Sequence, residues 1–228
     1  MMKLRAEKIS KTFYREGNRQ KFFNAIEETT ITLSEGSVTV IKGRSGSGKS
    51  TLLNIMGGLL QPDAGQVFLD DNSLYSLTDR EMSRLRNRYI GIIPQGHTAL
   101  RSLTVLENVM LPVHLYTPEQ DVYDRAMQLL QRTGMETLAD ASPAELSGGE
   151  LRRMAIARSL LQNPPILLAD EPTGDLDDEN TELVLQLIRQ TADEGTAVLL
   201  VTHEAAAEAY ADAVYTMQAG KLEVSSRL

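Results

Sequence analysis

Eight residues, Gly43-Arg44-Ser45-Gly46-Ser47-Gly48-Lys49-Ser50, constrain this chain more than any other stretch. They match the spacing G-x-x-x-x-G-K-[ST], between an apolar run (Val38-Thr39-Val40-Ile41) and a segment of helical spacing from Thr51 to Met56. A buried strand that turns through glycines into a helix leaves a nest of backbone N–H groups at the positive end of the helix dipole. That geometry suits a phosphate chain. Lys49 is placed to reach β/γ oxygens, and the Ser50 hydroxyl to ligate Mg²⁺. Gly43, Ser45, Gly46, Gly48, Lys49, Ser50 and Thr51 are therefore candidate contacts to a nucleoside triphosphate. The bland alternative, a ligand-free Gly/Ser turn, does not explain the strand before it and the helix after it.

A second apolar strand, Ile166-Leu167-Leu168-Ala169, ends in Asp170-Glu171-Pro172. In an open parallel sheet, ligands collect at the carboxyl ends of strands, so this acidic end is expected beside the phosphate loop. Asp170 is expected to hold Mg²⁺. Glu171, on the other side of the strand, is expected to orient the attacking water as a general base. Taken alone, Asp-Glu-Pro is equally an ordinary solvated turn.

The chain alternates between strand and helix patterns on either side of a different middle. Residues 3–15 and 22–33 read as short strands joined by a polar hairpin loop from Arg15 to Lys21. Val67-Phe68-Leu69, Ile90 to Ile93 and Ala197 to Val201 read as further strands, and Glu182 to Ala192 as an amphipathic helix. Between about 96 and 162 the patterns are helical, notably Val122 to Leu130, with Gly134 as the stop. With 228 residues the chain suits one α/β domain carrying an inserted lobe. There is no cysteine, which fits a reducing compartment and removes disulfides and thiolate metal sites. The net charge of −8 disfavours nucleic acid as a partner. No apolar run approaches a membrane span, and the start of the chain lacks a signal-peptide pattern. A cytoplasmic location is expected.

Leu146-Ser147-Gly148-Gly149-Glu150 opens a further helix, Leu151 to Arg158, and by itself reads as a capping box. Together with the phosphate loop, Gln95 after a strand, the acidic strand end, Thr173-Gly174-Asp175-Leu176-Asp177, and His203 after another strand, it resembles the ATP-binding cassette (ABC) family over essentially the whole chain. The resemblance implies an α/β fold: a P-loop NTPase (RecA-like) parallel-sheet core with an N-terminal antiparallel β layer and an inserted helical lobe. It implies one domain over 1–228, with its core at about 1–95 and 163–228 and its helical lobe at about 96–162.

It also implies function. Two copies would close head to tail around two Mg-ATP, each nucleotide lying between one copy's phosphate loop and the other's Ser147, Gly148 and Gly149. Hydrolysis would drive an integral membrane permease subunit, with this chain peripheral at the inner face of the membrane. Gln95 resembles the glutamine at the Mg²⁺ site, His203 the histidine that meets the γ-phosphate, and Asp177 the aspartate that crosses the dimer interface. Phe13 aligns with the aromatic that stacks on adenine, and Tyr14 competes for that role.

Gly57-Gly58-Leu59, Glu150 and the run from Leu168 to Asp177 resemble the lipoprotein-release, macrolide-export and cell-division branch. Pro94 and Gly96 around Gln95, and Leu151 to Arg153 in place of a more polar run, depart from the usual pattern and leave the branch open. A small-molecule kinase would have no use for residues 146–150 or His203. A soluble cassette protein of translation or repair would be expected to carry two cassettes or long insertions. A non-hydrolysing module would be expected to lack Glu171 or His203.

Overall fold

The computed structural model describes residues 3–14, 22–96, 98–174 and 176–227, with Ser226 and Arg227 in backbone only. The hairpin loop expected at 15–21, and Asp175, lie outside the described residues.

Two sheets share the molecule. Strands β1 (Leu4–Tyr14), β2 (Phe22–Leu33), β4 (Ala64–Leu69) and β5 (Asn72–Ser73) form an antiparallel layer in the order β2-β1-β4-β5. The second sheet uses β3 (Val38–Lys42), β6 (Ile90–Ile93), β7 (Ile166–Asp170), β8 (Ala197–Thr202), β9 (Ala213–Gln218) and β10 (Lys221–Arg227), in the order β10-β9-β3-β8-β7-β6. Every neighbouring pair in it is parallel except the β9–β10 hairpin at its edge.

The central strands are apolar throughout because both faces are covered. Val38, Val40, Leu167, Ala169, Val198 and Leu200 pack on the helical side. Their alternates Ile41, Ile166, Leu168, Ala197, Leu199 and Val201 pack against α1 (Lys49–Met56) and the antiparallel layer. Hence the sequence shows no period of two at β7 and β8, although the side chains obey it.

The helical side is built from α3 (Val105–His114), α4 (Tyr123–Arg132), α5 (Gly148–Leu160) and α6 (Asp178–Asp193); α2 (Asp79–Tyr89) leads into β6. Helix starts are fixed by side chains: Thr78, Thr104 and Ser147 each form a capping box with the glutamate three residues on. Helix α6 begins earlier than its apolar periodicity suggests, at Asp178, because the Asp177 carboxylate accepts from the Asn180 amide at 2.8 Å. Gly134, with φ at +64°, follows α4 as expected. None of the helices among the described residues is long and apolar enough to cross a membrane.

Candidate active site

Register puts the chemistry in one row. In the parallel sheet Lys42 pairs with Thr202, Asp170 with Val201, and Ile93 with Ala169, so the carboxyl ends of β3, β8, β7 and β6 lie side by side. The phosphate loop leaves β3, His203 leaves β8, Glu171 leaves β7, and Gln95 follows β6. This is where an open parallel sheet gathers a ligand.

The loop needs its glycines. Gly48, the residue before α1, has φ at +112°, and a Cβ there would lie 2.1 Å from the Ala25 carbonyl oxygen. A Cβ on Gly43 would lie 2.4 Å from the Met217 carbonyl oxygen. Lys49 is buried, and its Nζ donates to the Gly43 carbonyl at 2.8 Å while lying 3.6 Å from Glu171 Oε1.

Asp170 and Glu171 diverge as expected. Asp170 Oδ1 accepts from the Ser50 hydroxyl at 3.0 Å. Glu171 has φ at +47°, a strained conformation for a residue with a Cβ. Its Oε2 accepts from Thr202 Oγ1 at 3.0 Å and the His203 amide at 3.3 Å, and lies 3.0 Å from His203 Nδ1. Burial pushes both carboxyls up. At Asp170 it prevails over the Ser50 hydrogen bond, and the neighbouring Glu171 charge adds to it. At Glu171 it is outweighed by the hydrogen bonds from His203 and Thr202 and by the charges of His203 and Lys49, which hold this group below the usual range.

A cleft of about 800 Å³ opens over this row. Of the residues expected at the site, Ser45, Gly46, Gly48, Lys49, Ser50, Thr51, Gln95, Glu171 and His203 line it. Gly43 holds Lys49 from beneath, and Asp170 reaches the cleft through Ser50. Phe13 does not line it. Its ring packs on Phe23, with centroids 5.6 Å apart, and Phe23 borders the cleft while Tyr14 is exposed.

Ser147, Gly148 and Gly149 open α5 and do not line this cleft, and Asp177 caps α6. The Glu150 carboxylate accepts from the Ser147 amide at 2.7 Å and the Ser147 hydroxyl at 2.8 Å, and those bonds hold it below the usual range.

Sequence reasoning missed several contributors. Phe23 reaches the cleft only through its antiparallel pairing with Phe13. Arg152 reaches it from α5, and the unusual run Leu151 to Arg153 was the available signal. Glu204 also lines it and accepts from Thr173 Oγ1 at 2.6 Å, and Arg44 sits on the loop itself.

The ABC transporter family model matches residues 26–174, more than half of the chain. The fold and the site define an ATP-binding, ATP-hydrolysing cassette, and the chain belongs to the ABC transporter family. Among its curated relatives, the lipoprotein-releasing system ATP-binding protein LolD 2 of Chlorobium chlorochromatii is 39% identical over 226 residues, covering 96% of this chain and 93% of the relative. The corresponding LolD of Francisella tularensis subsp. tularensis is 38% identical, with 87% of each chain covered. A dimeric post-hydrolysis structure of the ATP-binding cassette MJ0796 bound to ADP and Pi superposes with a TM-score of 0.90, at 33% identity, over 99% of this chain and 100% of that one.

Proposed function

We propose that this chain is the Mg-ATP-driven motor subunit of a membrane complex of the lipoprotein-release type, working as a head-to-tail pair. The observation that carries the reading is the row of Lys49, Ser50, Asp170, Glu171, Gln95 and His203 along the ends of four adjacent parallel strands.

The residues fit a magnesium ion. A hydroxyl and one carboxylate 3.0 Å apart, with the Gln95 amide on the same wall, are hard oxygen donors. Among the described residues no three His, Cys, Asp or Glu side chains form a cage. Magnesium needs no such cage, since phosphates and water fill its octahedron. Bound there by Ser50, Asp170 and Gln95, the ion would neutralise charge on the β- and γ-phosphates.

The chain's own groups do the rest. Lys49 turns from Gly43 and Glu171 to the β/γ oxygens. Glu171 orients a water and takes its proton as the water oxygen attacks the γ-phosphorus. The bond to the β–γ bridging oxygen breaks, leaving ADP and inorganic phosphate. His203 steadies the γ-phosphate. Phe23, with Phe13 packed behind it, forms the aromatic edge for the base.

In the paired state Ser147, Gly148 and Gly149 present the start of α5 to the partner's γ-phosphate, and Asp177 crosses the interface. The chain acts as a single domain, with its core at about 1–95 and 163–228 and a helical lobe at about 96–162. The permease docks on that lobe near Gln95, at roughly 96–115. Exposed Leu100 and Leu115 support this placement, as does a cavity of about 340 Å³ lined by Leu111, Leu115 and Tyr116. The chain then sits at the inner face of the membrane.

Crosslinking in cells followed by purification should recover an integral membrane subunit. Free phosphate should be the product, with no phosphorylated acceptor. Full activity in a soluble fraction with no membrane subunit attached would contradict the transport role.

A further inference from the structure

Arg152 is 4% exposed and lines the nucleotide cleft. Nη1 donates to the Pro94 carbonyl at 2.6 Å and Nη2 to the Gln95 carbonyl at 3.1 Å. The planar fork thus bridges two successive carbonyls, which the point charge of a lysine cannot do. The second of these carbonyls is that of Gln95, which lines the same cleft as Lys49 and Glu171. Further along the same helix, Arg158 donates to the Thr98 carbonyl at 2.9 Å and pairs with the Thr98 hydroxyl. Helix α5 therefore holds Pro94 and Gln95 at one place and Thr98 at another. Its first residue, Gly148, lies only about 6 Å along the axis from Arg152.

We propose that Arg152 is a positioning residue that couples nucleotide at Gln95 to the α5 start, Ser147 to Gly149, within one chain. A backbone grip transmits displacement better than a side-chain contact, because the carbonyls cannot move without the 94–95 peptides. The helix, capped at Ser147 and packed through Met154, Ile156 and Ala157, moves as a unit. When Gln95 shifts toward the metal and γ-phosphate, Arg152 carries the shift to the surface offered to the second copy. The departure from the family's more polar run at 151–153 then has a use. Arg152 supplies a buried, charged fork from the helix that the partner reads. The second half of this inference rests on the proposed ATP pair.

The test is amide hydrogen exchange on the full chain at a concentration low enough to keep it monomeric, with and without Mg-ATP. Slowed exchange across 43–51 in every variant establishes nucleotide binding, and its absence would overturn the ATP reading itself. With Arg152 in place, Mg-ATP should slow exchange in both 94–98 and 147–152. In Arg152→Ala the response at 94–98 should persist, while that at 147–152 should fall by about fivefold or more, the size of an ordinary coupling between sites. Arg152→Lys, which keeps the charge near Asp170 but loses the fork, should behave like the alanine variant, and it carries the test if the alanine variant does not fold. Equal responses at 147–152 in the native chain and in Arg152→Lys would overturn the proposal. So would no response at 147–152 in the native chain.

Discussion

Lys49 and Glu171 stand 3.6 Å apart, while Lys49 also donates to the Gly43 carbonyl and Glu171 accepts from Thr202 and the His203 amide. Removing either should have different consequences. Lys49→Ala should lose ATP affinity, since it removes the buried ammonium that the Gly43 carbonyl holds at the base of the loop. Glu171→Gln should keep ATP affinity within a few-fold and lose turnover by at least about a hundredfold, the low end for a general base. Equilibrium binding of a fluorescent ATP analogue, with phosphate release alongside, separates the two. Equal binding losses in both variants would contradict the division of roles.

Glu150 is the other telling side chain. It closes the Ser147 box and is held ionised there, one helical turn from where the partner's triphosphate would arrive. The box stabilises the separate chain by about 1 kcal/mol. In the proposed pair the same charge would oppose phosphate by about as much after screening. Glu150→Gln, made in the Glu171→Gln background, should therefore tighten ATP-driven pairing several-fold and reduce its salt sensitivity. Unchanged or weaker dimer dissociation constants would contradict this. The cleft residues on the phosphate loop and strand ends were legible from sequence because phosphate binding fixes residue type and spacing together. Phe23 and Glu204 were not, since only strand pairing and a loop crossing bring them to the site.

Two polar anchors settle how the elements meet. Asn108 is fully buried in α3, where its Oδ1 accepts from the Leu100 amide at 2.8 Å and its Nδ2 donates to the Leu100 and Thr104 carbonyls at 3.0 and 2.8 Å. It ties the segment after Gln95 to the helix below. Asn108→Ala should cost about 2–3 kcal/mol by leaving buried groups unpaired, visible as a lowered Tm with ATP affinity retained.

Asp212 joins β9, β3 and α6: it accepts from the Val38 amide at 2.7 Å and pairs with Arg189 at 2.7 Å. Burial raises its carboxyl, but those two partners prevail and hold it below the usual range. Its contribution is then fully present above the unfolded value of about 3.9 and is lost as pH falls through the lower folded one. With half the side chain in solvent, Asp212→Asn should cost about 1 kcal/mol at neutral pH. Urea midpoints of the two proteins should draw together as pH falls below about 3.9 and meet only below the lowered folded value, and a gap that stays constant through that fall would contradict the assignment.

Elements themselves were unevenly legible. The covered strands β3, β7 and β8 announce themselves as apolar runs. Helix α2 has little apolar surface and was not read from the sequence, where the Thr78–Glu81 capping box was the signal available. The true start of α6 lay in its cap rather than in its periodicity.

At the scale of the whole molecule, one cleft gathers part of the proposed site. The phosphate loop, the strand ends and Phe23 converge on it, while Ser147, Gly148, Gly149 and Asp177 do not line it and stand at the starts of two helices. The proposed head-to-tail pair would bring the two groups of residues together. Sedimentation of the Glu171→Gln variant tests this directly, because slow hydrolysis should trap whatever state ATP favours. Without nucleotide the chain should sediment as a monomer. With Mg-ATP it should move to the mass of two chains and retain two ATP per pair. A variant that retains ATP and still sediments as a monomer would contradict it.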